Sequence, residues 1–202
     1  MSPFFATTFI ILSLCIIIGV LKASTTKKQE QQLAAFWERE QTANSTRKQP
    51  LDDLAFIKIP LDQLLIEDTM DNKTLTDCCD TLTRLSQTQI VNVNNQSNTD
   101  LKLKYGAANF PMLVACDERY MELVRTLYLY GKTLAECGLD EKAISVLEYG
   151  ISIGTDVSSH YPLLASLYRK TNQEEKIVNL VAAAQNLDSL MKNSILRLLE
   201  EM

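Results

Sequence analysis

The chain has 202 residues, enough for one domain of ordinary size with additional segments, and 46% of them are hydrophobic. Six glycines and five prolines are few for a turn-rich β protein and favour helices. The 25 acidic and 20 basic residues give a net charge of -5, which argues against a general nucleic-acid binder, since such a protein needs a basic footprint.

An apolar segment begins the chain. Residues 1–21 carry no charged side chain, and the 18 residues from Phe4 to Leu21 form a largely apolar run. A helix of that length rises about 27 Å, close to the thickness of a bilayer core. A signal peptide is disfavoured because no basic residue precedes the run and the site after it is poor for cleavage. The sequence therefore predicts a transmembrane anchor over residues 1–22, held in the membrane through residues 4–21.

The residues that flank this run predict where the rest of the chain lies. Lys22, Lys27 and Lys28 follow it and no lysine or arginine precedes it, so the positive-inside rule places the soluble part in the cytoplasm. The five cysteines include no CxxC motif and no metal-ligand spacing, which favours a reducing compartment. We therefore expect a single-pass protein of the cell membrane with a cytoplasmic soluble domain.

Residues 23–50 form a polar segment that predicts a juxtamembrane helix or linker. Leu33, Phe36 and Trp37 recur at helical spacing, and we expect Trp37 to dock on the soluble domain. Pro50 ends the segment.

Residues 51–111 read as a mixed region of helices and loops that packs on the rest of the domain. Residues 56–59 are expected to be extended, because Pro60 interrupts the run. A helix is predicted over Thr74–Ser86, with Asn72 as its N-cap and Leu75, Cys78 or Cys79, Leu82 and Leu85 as its apolar positions. A short helix over Asp100–Tyr105 would end at Gly106.

Residues 112–202 form a helical domain with an internal repeat. A long helix is predicted from Met112 to Cys137, with Gly138 after its end. Its buried stripe comprises Leu113, Cys116, Tyr120, Leu123, Leu127, Tyr130 and Leu134. A small residue followed three positions later by a large one recurs after 34 residues, as Gly131 with Leu134 and Ala165 with Tyr168. Such a period is typical of a helical repeat.

These residues resemble the tetratricopeptide repeat (TPR), whose unit is a pair of antiparallel helices. The first unit matches at Tyr130, Gly131, Leu134, Ala143, Leu147 and Gly150. The second unit matches at Tyr161, Leu164, Ala165, Tyr168, Ile177, Val181 and Ala184. The resemblance implies two helix-turn-helix units whose small residues let the helices approach closely.

The predicted fold class is therefore all-α: an N-terminal transmembrane helix, then a helical domain with two TPR-like units and a C-terminal capping helix. The capping helix is predicted within Ser189–Met202, with Leu190, Ile195, Leu198 and Leu199 on its buried side. The Thr74–Ser86 helix is expected to cover the other end of the repeats.

The resemblance also implies a binding groove, because TPR domains bind peptides on the surface formed by their first helices. The residues that project there by register are Arg125, Tyr128, Lys132, Ser166, Arg169 and Lys170. This set is locally basic and predicts an acidic or carboxylate-ended peptide as partner. The alternative is that these are ordinary solvated side chains of surface helices.

Catalysis is not expected. His160 is the only histidine, and its place at the start of a repeat helix predicts a surface or boundary residue. Cys78 and Cys79 are adjacent on a helix, so one is expected in the core and the other partly exposed. No cofactor, metal ion or nucleic acid is predicted.

The function predicted from these features is a membrane-anchored protein–protein interaction module, an adaptor or scaffold. One alternative is a membrane-tethered receptor for targeting sequences or exported proteins, which rests on similarity of layout alone. Another is a subunit that associates with copies of itself.

Overall fold

The computed structural model describes residues 27–67, 69 and 71–202, and the regular elements in these residues are all helices. Residues 27–45 are helical and are called α1 here. The later helices are α2 (Leu61–Leu64), α3 (Lys73–Ser86), α4 (Asn98–Tyr105), α5 (Phe110–Glu136), α6 (Asp140–Ser152), α7 (His160–Lys170), α8 (Lys176–Gln185) and α9 (Lys192–Glu200), with a 3-10 turn at Ala107–Asn109.

The predicted fold class needs a correction at its N-terminal element. None of the helices in the described residues is both long and apolar enough to cross a membrane. The segment for which the transmembrane anchor was predicted, residues 1–22, lies outside the described residues. The fold class is therefore all-α as expected, but without the transmembrane helix as an established element.

The chain divides into two compact units, and the described residues of the smaller one, 27–49 and 98–108, are distant in sequence. Within its described residues, α4 packs beside α1 through Arg39 and Asp100, whose side chains form an ion pair across 61 residues of chain. Gly106 has a φ of +87° and lies against Arg47, where an added Cβ would be 2.3 Å from the backbone oxygen. Glycine is required there because both the positive φ and the close contact exclude a side chain.

Helix α1 confirms the helix predicted in the polar segment, but its apolar side chains are not covered. Leu33 is 56% exposed, Phe36 52% and Trp37 61%. The docking of Trp37 that its spacing predicted is therefore wrong; its ring instead lies edge-on to Phe36, with 5.3 Å between ring centroids.

The larger unit comprises residues 50–97 and 109–202 and contains the main hydrophobic core. Helix α3 confirms the predicted helix with its start one residue earlier. The Asn72 side chain accepts hydrogen bonds from the backbone N–H groups of Thr74 and Leu75, at 2.9 and 3.3 Å, as expected of an N-cap. Its predicted apolar face is buried at Leu75, Cys78, Leu82 and Leu85.

Helix α5 confirms the predicted long helix, and every residue of its predicted stripe is buried. It packs against α3 on one side and α6 on the other, and α6 packs in turn against α7. The short connections make α5–α6 and α7–α8 helical hairpins. Gly131 brings α5 and α6 close, since a Cβ at this position would lie 2.8 Å from Cγ of Leu147.

Helix α9 closes the C-terminal end of the unit, where it packs against α7 and α8. Ile195 and Leu199 are buried as predicted for the capping helix. The prediction is wrong for Leu190, which is 100% exposed. The helix begins only at Lys192, so Leu190 belongs to the turn before it and does not share the buried face.

Candidate functional site

The six residues predicted to line a peptide groove lie on the two expected helices. Arg125, Tyr128 and Lys132 are on α5, and Ser166, Arg169 and Lys170 are on α7. Tyr128 is half-buried and the other five side chains are exposed. Their positions thus leave them available to a partner, while their use in binding stays a prediction.

Two of these bases already have acidic neighbours. The Nζ of Lys170 lies 2.7 Å from the Asp140 carboxylate at the start of α6, and that of Lys132 lies 3.7 Å from Glu136 one turn later on α5. Within the part of the chain that the structure describes, no hydrogen bond or ion pair joins the α5 members of the set to the α7 members. The set is therefore less basic, and less continuous, than its sequence register suggests.

An open groove begins one helical turn earlier on the same side of α5. Met121 precedes Arg125 by four residues, so the two share a face of the helix. The groove, called the α5 groove here, has a volume of about 630 Å³. It is lined by Asn94, Asn95, Met121, Asp156, Asp188, Ser189, Leu190 and Met191. These residues come from α5 and three loops, all within the larger unit.

The loop between α6 and α7 supplies Asp156, and buried tyrosines hold this loop. The Tyr120 hydroxyl donates to the backbone oxygen of Gly154 at 2.9 Å, and the Tyr161 hydroxyl donates to that of Thr155 at 2.8 Å. Both rings are fully buried. Burial first, and then the neighbouring Asp156 carboxylate, raise the pKa of both hydroxyls, so they remain protonated donors. Asp156 is thus carried on a loop fixed by two internal hydrogen bonds.

The loop between α8 and α9 supplies the apolar wall of the groove. The Ser189 hydroxyl donates to the Asp156 carboxylate at 2.8 Å and accepts a hydrogen bond from the Met191 N–H at 3.1 Å. This turn joins the two loops and leaves the Leu190 side chain wholly in solvent, with Met191 40% exposed beside it. Exposed apolar side chains at a concave surface offer a partner apolar area to bury.

The groove is acidic. Asp156 and Asp188 line it, and Asp117 lies next to it on α5, one turn before Met121. Burial raises the pKa of Asp117, the backbone N–H of Val93 lowers it, and the Asp156 and Glu118 carboxylates raise it again. The Asp117 carboxylate also accepts a hydrogen bond from that Val93 N–H at 3.3 Å. Sequence register missed this site because its residues come from loops that no helical period relates.

A second cavity, of about 250 Å³, lies between α6, α7 and α8. Its polar groups bind one another: the Glu148 carboxylate accepts from the Tyr168 hydroxyl at 2.8 Å and from the Lys176 ammonium at 3.0 Å. The Lys176 ammonium also lies 5.5 Å from the centre of the Tyr168 ring. With its hydrogen bonds satisfied internally, this cavity is a weaker candidate than the α5 groove.

His160 is not the surface or boundary residue that its position predicted. It has 0% exposure, and neither ring nitrogen has a hydrogen-bond partner among the described residues. Its ring lies 5.5 Å from that of Tyr128 and against Gly150, where a Cβ would be 2.8 Å from Nε2. Burial lowers its pKa to about 4, so the ring is neutral at physiological pH.

Two of the four cysteines that the structure describes, Cys78 and Cys116, are buried. Cys78 is buried and Cys79 is half-buried, which confirms the predicted division of the adjacent pair. Burial raises the pKa of the Cys78 thiol to about 11 and also raises that of Cys116, which disfavours the reactive thiolate. In the described residues, no three histidine, cysteine or acidic side chains are grouped in a way that could hold a metal ion.

Comparison of the chain with models of known protein families, with curated proteins and with solved structures finds no match. The resemblance to TPR units therefore stays a prediction.

Proposed function

We propose that this chain is a protein–protein interaction module, an adaptor or scaffold, that binds a segment of a partner protein in the α5 groove and acts by binding without catalysis. The observation that carries the proposal is the complete exposure of Leu190 beside Met191, at a groove whose loops are tied together by hydrogen bonds. Burying one leucine side chain in a partner contributes about 1.5–3 kcal/mol, enough for a specific contact.

The chemistry of the larger unit favours binding over catalysis. Its histidine is enclosed and neutral, so it is poorly placed to transfer protons to a substrate. The thiol of Cys78 is held in the protonated form by burial, which weakens it as a nucleophile. Both are the properties of core residues.

Photo-crosslinking in the native cell tests the proposal. A benzophenone amino acid replaces Leu190 in the groove, and in a matched control it replaces Val178, which is 72% exposed on α8 outside the groove. We expect a discrete protein adduct from position 190 that is lost when Met121→Ser removes the apolar floor, and no such adduct from position 178. The same adducts from both positions, or none from position 190, would contradict the proposal.

The identity of the adduct separates the variants of the proposal. A distinct partner protein supports the adaptor, and a newly made protein bearing a targeting sequence supports the receptor alternative. An adduct of twice the chain mass, identified as two copies of this chain, supports the self-associating subunit.

A further inference from the structure

We infer that the segment bound in the α5 groove is basic, with lysine or arginine side chains beside an apolar one. The inference rests on the proposed function and names the chemistry of its partner.

The apolar part of the groove fits a side chain of variable shape. Met121 forms part of the floor, and Leu190 and Met191 form one wall. Methionine side chains are flexible and polarisable, so they adapt to different apolar partners. The amide of Asn94 donates to the Met121 sulfur at 3.7 Å, which ties the loop before α4 to the floor. The groove thus offers apolar contact area bordered by polar side chains.

The charged residues of the groove determine which charge a partner must carry. Asp156 and Asp188 line the groove, whereas Lys192, the base next to Met191 in sequence, is not a lining residue. Two carboxylates that line one groove repel a phosphate or an acidic peptide and attract an ammonium or guanidinium group. A nucleic acid or an anionic lipid surface is therefore a poor occupant.

The carboxylate of Asp156 has acceptor capacity left for such a cation. One of its oxygens accepts the Ser189 hydroxyl at 2.8 Å. An ionised carboxylate has about four acceptor positions, so a lysine or arginine side chain can bind without displacing this bond. A charge-assisted hydrogen bond in a partly enclosed groove is stronger than a neutral one.

The surface along α5 changes from acidic at the α5 groove to basic at the predicted basic set. Asp156 and Asp188 line the groove together with Met121, while Arg125 follows Met121 by one turn and Lys132 lies nearly two turns after that. A partner segment that lies along this face would place its basic end at the α5 groove. The acidic or carboxylate-ended peptide expected at the six-residue basic set stays a separate prediction.

Fluorescence anisotropy with the full chain tests the inference with two synthetic peptides. The first is an amphipathic helix of roughly 18 residues with leucine on one face and lysine on the other, and the second has glutamate at every lysine position. We expect the lysine peptide to bind at least tenfold more tightly, with an affinity that falls as salt is raised, because salt screens the attraction.

Matched variants locate the effect. Asp156→Asn with Asp188→Asn is expected to weaken binding of the lysine peptide at least fivefold. Glu174→Gln with Glu175→Gln makes the same change in net charge at exposed positions before α8, outside the groove, and is expected to leave the affinity within twofold. Asp156→Glu with Asp188→Glu keeps the charges and should restore most of the binding, which separates charge from a structural role.

Three results would overturn the inference. The first is equal or tighter binding of the glutamate peptide, and the second is no binding of the lysine peptide. The third is that the double Asn variant in the groove and the double Gln variant outside it weaken binding equally. If any of these occurs while position 190 still crosslinks a partner, the proposed function stands and the basic partner is wrong. If position 190 also yields no adduct, the proposed function itself fails.

Discussion

His160 is a buried, neutral imidazole, and its protonation opposes folding. The unfolded chain binds a proton near the ordinary histidine pKa of 6.5, whereas the folded protein does so only near pH 4. The stability linked to the neutral His160 is therefore fully present above pH 6.5 and is lost as the pH falls from about 6.5 to about 4. This difference between the folded and unfolded pKa of His160 corresponds to roughly 3 kcal/mol of unfolding free energy, at 1.36 kcal/mol per pKa unit.

Replacement of His160 by leucine should remove this pH dependence. His160→Leu keeps an apolar group of similar size against Gly150 and removes two unsatisfied nitrogens, so we expect it to be at least as stable as the unmodified chain at pH 7.5. The advantage of His160→Leu over the unmodified chain in unfolding free energy should grow by up to about 3 kcal/mol as the pH falls from 6.5 to 4. Urea denaturation at several pH values measures it. Parallel curves for the two proteins would contradict the assignment.

The α6–α7 loop depends on hydroxyl groups that reach it from the flanking helices. Tyr120 on α5 donates to Gly154 at 2.9 Å and lies 3.3 Å from the oxygen of Ile153. Gly154 has a φ of +79°, which allows the chain to leave α6 in this turn. Long helices thus position a short loop, and that loop carries Asp156 into the groove.

Removal of the Tyr120 hydroxyl should loosen this loop. Tyr120→Phe leaves the backbone oxygens of a partly buried turn without their donor, so we expect a loss of about 1–2 kcal/mol in unfolding free energy. The variant should also show faster hydrogen exchange at residues 153–157. Tyr128→Phe is the control, since the Tyr128 hydroxyl makes no hydrogen bond among the described residues, and its effect should be within about 0.5 kcal/mol. Equal effects of the two variants would show that Tyr120 acts only by packing.

The helices were predictable where one face is apolar throughout. The buried stripe of α5 and the Asn72 cap of α3 follow from periodicity and capping chemistry alone. The start of α9 was misplaced because Leu190 fits the apolar period of that helix. The Ser189 hydroxyl bonds the Met191 N–H in the turn instead, so the helix begins after it.

The compact units illustrate a different difficulty. The contact of α1 with α4 rests on polar pairs such as Lys102 with Asn44, at 2.8 Å, formed across 58 residues of chain. Polar side chains on a helix give no periodic signal that distinguishes a solvated face from a paired one. Sequence reasoning therefore divided the chain into linear segments, whereas the smaller unit is discontinuous.

The candidate site was predictable only in part for the same reason. Register on the repeats placed Arg125, Tyr128 and Lys132 on an accessible face of α5. The acids that define the α5 groove belong to loops, and their approach depends on the Ser189–Asp156 hydrogen bond between them. Loop positions of this kind follow from the folded structure and from no local pattern.

A basic partner bound in the α5 groove would contact the methionine methyl groups that line it, and these groups report such binding most directly. Met121 and Met191 line the groove, whereas Met112 and Met202 do not. In NMR spectra of the full chain with labelled methionine methyl groups, saturation with the lysine peptide should shift the signals of Met121 and Met191 and leave those of Met112 and Met202 in place. Unchanged Met121 and Met191 signals at saturation, or equal shifts of all four methionine signals, would show that the peptide does not bind specifically in the α5 groove.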